Sequence, residues 1–433
     1  MTERPSIAER LAAAGLPAMP RTAWLEIDLD AVSGNLEAIK AAVPPGVRIE
    51  PVVKADAYGH GAVPVARALI GAGADGLCVA TLDEALELRE AGIDAPVLVL
   101  FPIPPGSAPD AAAAGVIISV GDPVLLARTI VALEERPVGR LLAVAVEVET
   151  GLGRGGFAPS DIGPALARIA ASRALTTASV WSHLTAPEDA LRTAAQVARF
   201  AAATSSADGD EGIGGIARHL AASGGILAET APVLDAVRPG LVVYGVLPED
   251  TAPGGHRPDI AAAVRPVMSL RACPVRVADL PAGTGIGYGP AFTTSRPSRI
   301  ATLPVGYADG YARTMSHRVS ALVRGHRVPI VGTIAMDASM ADVTDVPGEP
   351  VGVDDEFVLL GVQGGAAIDV YELARARTTI SWEVVATMAA RLPRVYTRAS
   401  FPVDVRTLTL GRAPWRTSNS GTATSAISRS TPS

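Results

Sequence analysis

About eight times between Ile49 and Gly245 the chain repeats one unit: a short apolar run, a loop carrying glycine or proline, and a stretch with apolar residues at helical spacing. The runs are PVVKA (51–55), GLCVA (76–80), PVLVLF (96–101), GVIISV (115–120), LAVAVEVE (142–149), ASVWSHL (178–184) and ARHLAAS (217–223), with an eighth between Asp235 and Gly245. Apolar runs of this length suit parallel strands covered on both faces. Eight such strand–helix units are the number that closes a TIM (β/α)8 barrel. Helix boundaries are marked as well: Thr81 and Glu84 are spaced as a capping box, and Gly92 stops the helix that follows.

The pattern changes on either side of these units. Residues 1–22 read as a helical preamble, and residues 24–30 (WLEIDLD) alternate like a strand that is expected to join a second domain. The barrel is placed at 23–261. Over 262–410 the helical period fades into short β-rich runs such as RIATLPVGYA, VSALVRGHRVPIVG and EFVLLG, interrupted by one helical stretch, ISWEVVATMAARLP. A mostly β C-terminal domain is therefore expected. SSADGDEGIGG (205–215) reads as a flexible loop, and residues 411–433 have the composition of a disordered tail.

Charge and cysteine content narrow the function classes. The chain has 37 basic and 44 acidic side chains and a net charge of −7, which argues against nucleic acid or an anionic membrane as partner. Two cysteines, Cys78 and Cys273, are too few for a disulfide framework and fit a reducing cytoplasm. Apolar stretches are all cut by Gly, Pro or charge before about 18 residues, so no membrane span is expected. The six histidines (60, 183, 219, 256, 317 and 326) lack the spacing of a metal site.

The chemistry concentrates in PVVKADAYGHG (51–61), where a lysine ends the first barrel run. Barrel active sites lie at that C-terminal face. A desolvated lysine there loses its proton more easily and serves as a Schiff-base nucleophile; an ordinary snorkelling lysine is the alternative. This string resembles the lysine motif of alanine racemases. So, in order, do ETGLGRGGF (149–157), SHLTAPED (182–189), HLAASGG (219–225), VRPGLVVYG (237–245), GIGYGP (285–290), VGYADGYAR (305–313), GTIAMD (332–337) and RLPRVY (391–396).

The resemblance, over about residues 23–400, implies a pyridoxal-phosphate barrel with a C-terminal β domain and an L-/D-alanine interconversion that supplies D-alanine. It implies that Lys54 carries the cofactor and that Tyr58, Ser223 and the backbone at Gly240 and Leu241 hold its phosphate. Arg238 is then the arginine facing the pyridine nitrogen, with His183 expected to orient it. Arg154 is implied to contact cofactor and substrate carboxylate. Lys54 and Tyr288 become the two acid–base groups on opposite faces of one carbon, with Tyr307 and Met336 in the substrate pocket. The resemblance further implies a head-to-tail homodimer, in which Tyr288, Tyr307 and Met336 come from the partner.

Three positions depart from the family pattern. Glu147 replaces a lysine that is commonly carbamylated, and by side-chain length it is expected to reach Arg154 only through water. Ala335 replaces a common cysteine. Trp382 stands where a phosphate-binding tyrosine is usual, and its indole donates but cannot accept. A pair that compensates sterically keeps the pocket alanine-selective; a pair that does not opens it to other amino acids. The alternatives are thus a racemase of broader or different substrate and, from another class, a non-catalytic pyridoxal-phosphate carrier or regulator. A carrier has no need of a β domain bearing Tyr288.

Overall fold

The apolar runs pair side by side in one parallel sheet. Its order is Arg48–Ile49, Ala236–Arg238, Ala217–Ala222, Leu175–Trp181, Leu142–Glu147, Ile117–Val120, Val97–Val99 and Leu77–Val79. A parallel bridge between Val52 and Cys78 joins the two ends and closes the barrel. This is a computed structural model, and it describes residues 4–205, 215–249, 257–289 and 291–410. The proposed loop core at 206–214, Pro290 of GIGYGP and the tail from 411 onward lie outside the described residues.

Two strand limits differ from the sequence reading, each for a local reason. The first strand is Arg48–Ile49 and not 51–55, although beyond it the Glu50 and Val52 N–H groups still donate to the Val237 and Pro239 carbonyls at 2.9 Å each and Val52 bridges to Cys78. Pro51 has no N–H to donate, though its carbonyl accepts from the Cys78 N–H at 2.8 Å, and Lys54 already opens the short helical element Lys54–Tyr58. The eighth strand is the short Ala236–Arg238, and the longer apolar run beyond it forms a 3₁₀ turn, Leu241–Tyr244. That short strand ends on Arg238.

A second, eleven-stranded sheet gathers the rest of the chain. Ala23–Asp28 lies inside it, antiparallel to Met268–Ala272 and parallel to Arg394–Arg398. The opening segment of the chain therefore belongs to the same sheet as the C-terminal strands. Helix Ile7–Ala13, started by a Ser6–Glu9 capping box, packs Ile7 and Leu11 on Trp24, Val395 and Val405. The helical stretch expected at 380–393 forms the shorter helix Ser381–Ala386, and a second helix that the sequence reading did not place, Val370–Arg377, precedes it. Helix Ser381–Ala386 contacts the Lys54–Tyr58 element and so brings this sheet's domain to the mouth of the barrel.

Candidate active site

The C-terminal ends of the barrel strands converge on a cavity of about 580 Å³. Lys54, Tyr58, Arg154 and His183 line it, together with Ser223, Arg238, Gly240, Leu241 and Trp382. The barrel residues among them follow the C-terminal ends of strands, the position a barrel uses for chemistry, while Trp382 comes from helix Ser381–Ala386 of the β domain. Arg238 ends its strand, Ser223 follows Ala222 directly, and His183 lies two residues past Trp181.

Lys54 opens a turn of unusual backbone. Ala55, Asp56, Ala57 and Tyr58 all have φ between 51° and 55° and none is glycine. Left-handed backbone costs an L-residue about 1–2 kcal/mol, so four in succession persist only because neighbours hold them. Burial lowers the Lys54 pKa from the ordinary lysine value; the Arg154 charge adds to this, and Glu84 and Cys78 oppose it. A neutral amine is thereby made more accessible.

At one end of the cavity small groups crowd together. Ser223 Oγ accepts from the Gly240 N–H at 2.8 Å and from the Val242 N–H at 3.4 Å. A Cβ at position 240 would lie 2.9 Å from the Tyr58 hydroxyl, so glycine lets that hydroxyl stand close to these backbone donors. The set is rich in neutral donors, the chemistry a phosphate needs.

Arg238 is fully buried and held from several sides. It donates to the carbonyls of Ser182 at 2.8 Å and Leu220 at 3.4 Å, and its guanidinium lies 4.8 Å above the Trp181 ring. Its ring partner is His219 and not His183: Arg238 Nη1 donates to His219 Nδ1. Since arginine only donates, His219 Nδ1 is the acceptor, and Nε2–H donates to Ser179 Oγ at 2.9 Å. Burial and the Arg238 charge hold His219 neutral, well below the usual histidine range. His183 instead faces the cavity, its pKa lowered to about 3 by burial and the nearby cations. The motif HLAASGG contains His219, but sequence gives no sign of which histidine turns inward.

Glu147 also departs from expectation. Its Oε1 accepts directly from Arg154 Nη2 at 3.3 Å, without a bridging water. The loop carrying Arg154 folds back over the strand end, and this shortens the gap that side-chain length alone suggested. Arg154 also lies 5.3 Å above the Phe101 ring, which leaves its remaining donors toward the cavity.

Tyr288, Tyr307 and Met336 are not brought to this cavity within one chain. They are exposed at 70%, 39% and 51% on neighbouring loops of the β domain. Thr333 Oγ1 donates to the Tyr288 carbonyl at 3.1 Å, and the Tyr307 and Ala308 N–H groups donate to Ala335 and Met336 carbonyls at 3.0 Å each. Ala335 sits in this group, so it shares no wall with Trp382 in one chain. The Tyr307 loop has a fully buried anchor that sequence reasoning passed over, Asp309, which accepts from Arg21 Nη1 at 2.8 Å, Arg391 Nε at 2.7 Å and the Gly306 N–H at 2.9 Å. Burial opposes its ionisation, but the Arg391 and Arg21 bonds hold its pKa below the ordinary value.

The sign of that shift gives a test. A depressed carboxylate stabilises fully above its unfolded value of about 3.9 and loses that contribution as pH falls through its folded value. Asp309→Asn should cost about 3 kcal/mol at pH 7, as expected when a buried ion pair loses one partner. In urea unfolding the gap between the two proteins should close as the solution is acidified below the ordinary carboxylate range.

A barrel with a desolvated lysine at its mouth, a donor-rich anion cradle and a β domain reaching over the rim defines an enzyme that works through a lysine amine. Residues 27–248 match the model of the alanine racemase N-terminal domain and residues 267–396 that of the C-terminal domain; the chain belongs to the alanine racemase family. An alanine racemase of Symbiobacterium thermophilum is 40% identical over 87% of this chain and 97% of its own. The crystal structure of an alanine racemase of Bacillus anthracis with L-Ala-P bound superposes with a TM-score of 0.82 at 32% identity, covering 90% of this chain and 99% of that one. A histidine racemase of Leuconostoc mesenteroides superposes at 0.77 with 28% identity, over 88% and 99% of the two chains.

Proposed function

We propose that the chain interconverts L- and D-alanine with pyridoxal phosphate, as a cytoplasmic homodimer whose sites are shared between subunits. The observation that carries this is the convergence of Lys54, Arg154, Arg238 and the Tyr58–Ser223–Gly240 cradle on one cavity, in a chain of this family. The residues fit the cofactor: the cradle that a Cβ at 240 would fill suits a phosphate, and Lys54 stands in the same cavity. When bound, pyridoxal phosphate supplies the electron sink that makes an amino acid's α-proton acidic.

The chain's own groups do the rest. Tyr58, Ser223 and the backbone at Gly240 and Leu241 would hold the phosphate, with the Trp382 indole N–H as a further donor. Arg238, always protonated, would hold the cofactor's pyridine side and, as a donor there, would limit the charge that group can accept. His219 holds that arginine, and His183 packs the wall beside it. Arg154 binds the substrate carboxylate and is oriented by Glu147. The Lys54 amine takes or gives the proton on one face, and the Tyr288 hydroxyl of the partner subunit does so on the other. Exposure of Tyr288, Tyr307 and Met336 on one side of the β domain supports a partner there. Among the described residues no helix is long and apolar enough to cross a membrane, and the cytoplasmic placement rests on the scarcity of cysteine.

Substrate choice is read at Trp382, whose ring lines the cavity on helix Ser381–Ala386. One methylene in a tight pocket is worth about 1–3 kcal/mol, or roughly 10–200-fold in discrimination. Trp382→Ala should therefore raise kcat/KM for serine about tenfold relative to alanine and weaken cofactor retention. Chiral chromatography with L-alanine, L-serine and L-lysine tests both points: the wild type should favour alanine. Equal or higher kcat/KM for lysine would reject alanine selectivity and favour the broader-substrate reading.

A further inference from the structure

We propose that the Asp56–Arg406 ion pair is a positioning device for Lys54, by which the β domain clamps the left-handed turn that carries the lysine. The inference rests on the reading of Lys54 given above. The four residues after Lys54 adopt a backbone that L-amino acids disfavour. The turn's own bonds run from the Ala57 N–H to the Val53 carbonyl and from the Gly59 N–H to the Ala55 carbonyl, at 2.9 Å each, and three contacts from outside add to them.

At the near end, Glu84 Oε1 accepts from the Ala55 N–H at 2.6 Å while Oε2 accepts from the Ala80 N–H at 2.7 Å. In the middle, Asp56 accepts the Ala62 N–H at 2.8 Å and receives both terminal nitrogens of Arg406, Nη1 at 2.8 Å. At the far end, Arg394 donates to the Gly59 carbonyl at 3.2 and 3.1 Å. Arg394 and Arg406 are directly opposite one another in the antiparallel pair Arg394–Arg398 and Phe401–Arg406. One hairpin of the second sheet thus grips the turn at two points.

The grip is buried and charged. Arg406 and Arg394 are 9% and 1% exposed. Burial opposes ionisation of Asp56, but the Arg406 bonds and charge, the Ala62 N–H and Arg394 bring its carboxyl below the ordinary range. A Cβ at Gly59 would overlap the Val385 carbonyl, so helix Ser381–Ala386 fixes the turn's exit from the other side. The turn cannot relax toward the barrel without losing these contacts, and Lys54 and Tyr58 are at its two ends.

The test uses Arg406→Gln and Asp56→Asn, with Arg406→Lys as the conservative variant. In the cofactor-free full chain, amide hydrogen exchange over 55–61 should be about tenfold faster in Arg406→Gln, as expected for local opening after loss of a buried pair, while 142–147 keeps its wild-type rate. In the loaded enzyme kcat for alanine should fall about tenfold with KM little changed, because the proton-moving amine is displaced and the carboxylate site is not. Arg406→Lys should recover much of both effects. Should Arg406→Gln not fold, Asp56→Asn carries the same comparison, since its carbonyl still caps Ala62. Wild-type exchange over 55–61 in the variants, or equal acceleration at 55–61 and 142–147, would overturn the proposal. Exchange needs no turnover, so that failure is distinguishable from failure of the racemase reading.

Discussion

Lys54→Ala is expected to abolish racemisation while leaving the fold intact. A positioned acid–base group is worth about 10²–10⁴-fold, and on the proposed reading the same side chain would also retain the cofactor, so the loss should reach the top of that range. The side chain lies against a cavity and removing it leaves no packed core void. The prediction has an unusually clean companion: the chain contains only two lysines, Lys40 and Lys54. Lys40 donates to the carbonyls of Ala72 and Gly73 at 3.2 Å each, away from the cavity. Borohydride reduction of the holoenzyme, then peptide mapping, should leave the pyridoxyl group on Lys54. A label on Lys40, or activity within tenfold of wild type in Lys54→Ala, would reject the assignment.

Tyr288→Phe should retain the cofactor absorbance yet lose about 10²–10⁴-fold in racemisation. The substitution removes one oxygen from a side chain that is 70% exposed in the single chain, so folding should change by less than about 0.5 kcal/mol. A large kinetic effect from so exposed a group makes sense only if a second copy closes over it. Mixing Lys54→Ala with Tyr288→Phe, two inactive proteins, then rebuilds one intact site in each mixed dimer. About a quarter of wild-type activity should return if subunits assort at random. No recovery after subunit exchange would place Tyr288 outside the shared site.

The barrel is readable in the sequence because parallel strands buried on both faces leave continuous apolar runs, and Leu77–Val79 and Val97–Val99 are wholly buried. The place where reading fails first is Pro51–Tyr58. Apolar character continues there, but a missing N–H and four left-handed residues leave no periodic trace. The barrel residues that line the cavity stand in motif blocks and are legible through them. Those that hold them are less so. Glu84 reads as a helix cap, which it is, and nothing local reveals that its other oxygen holds Ala55. Asp309 draws Arg21 and Arg391 from opposite ends of the chain, and His219 rather than His183 meets Arg238, because strand rotation decides which ring turns inward. Glu147 is only seven residues from Arg154, and the fold-back between them is a property of the loop that side-chain length does not report.

The proposed racemase activity stands or falls on reversal of configuration at the α-carbon. L-alanine incubated with the holoenzyme in deuterium oxide should lose its α-proton signal and yield D-alanine carrying deuterium, approaching equal amounts of both enantiomers, and D-alanine should do the same in reverse. Absence of exchange, or exchange that leaves the L-configuration intact, would contradict it.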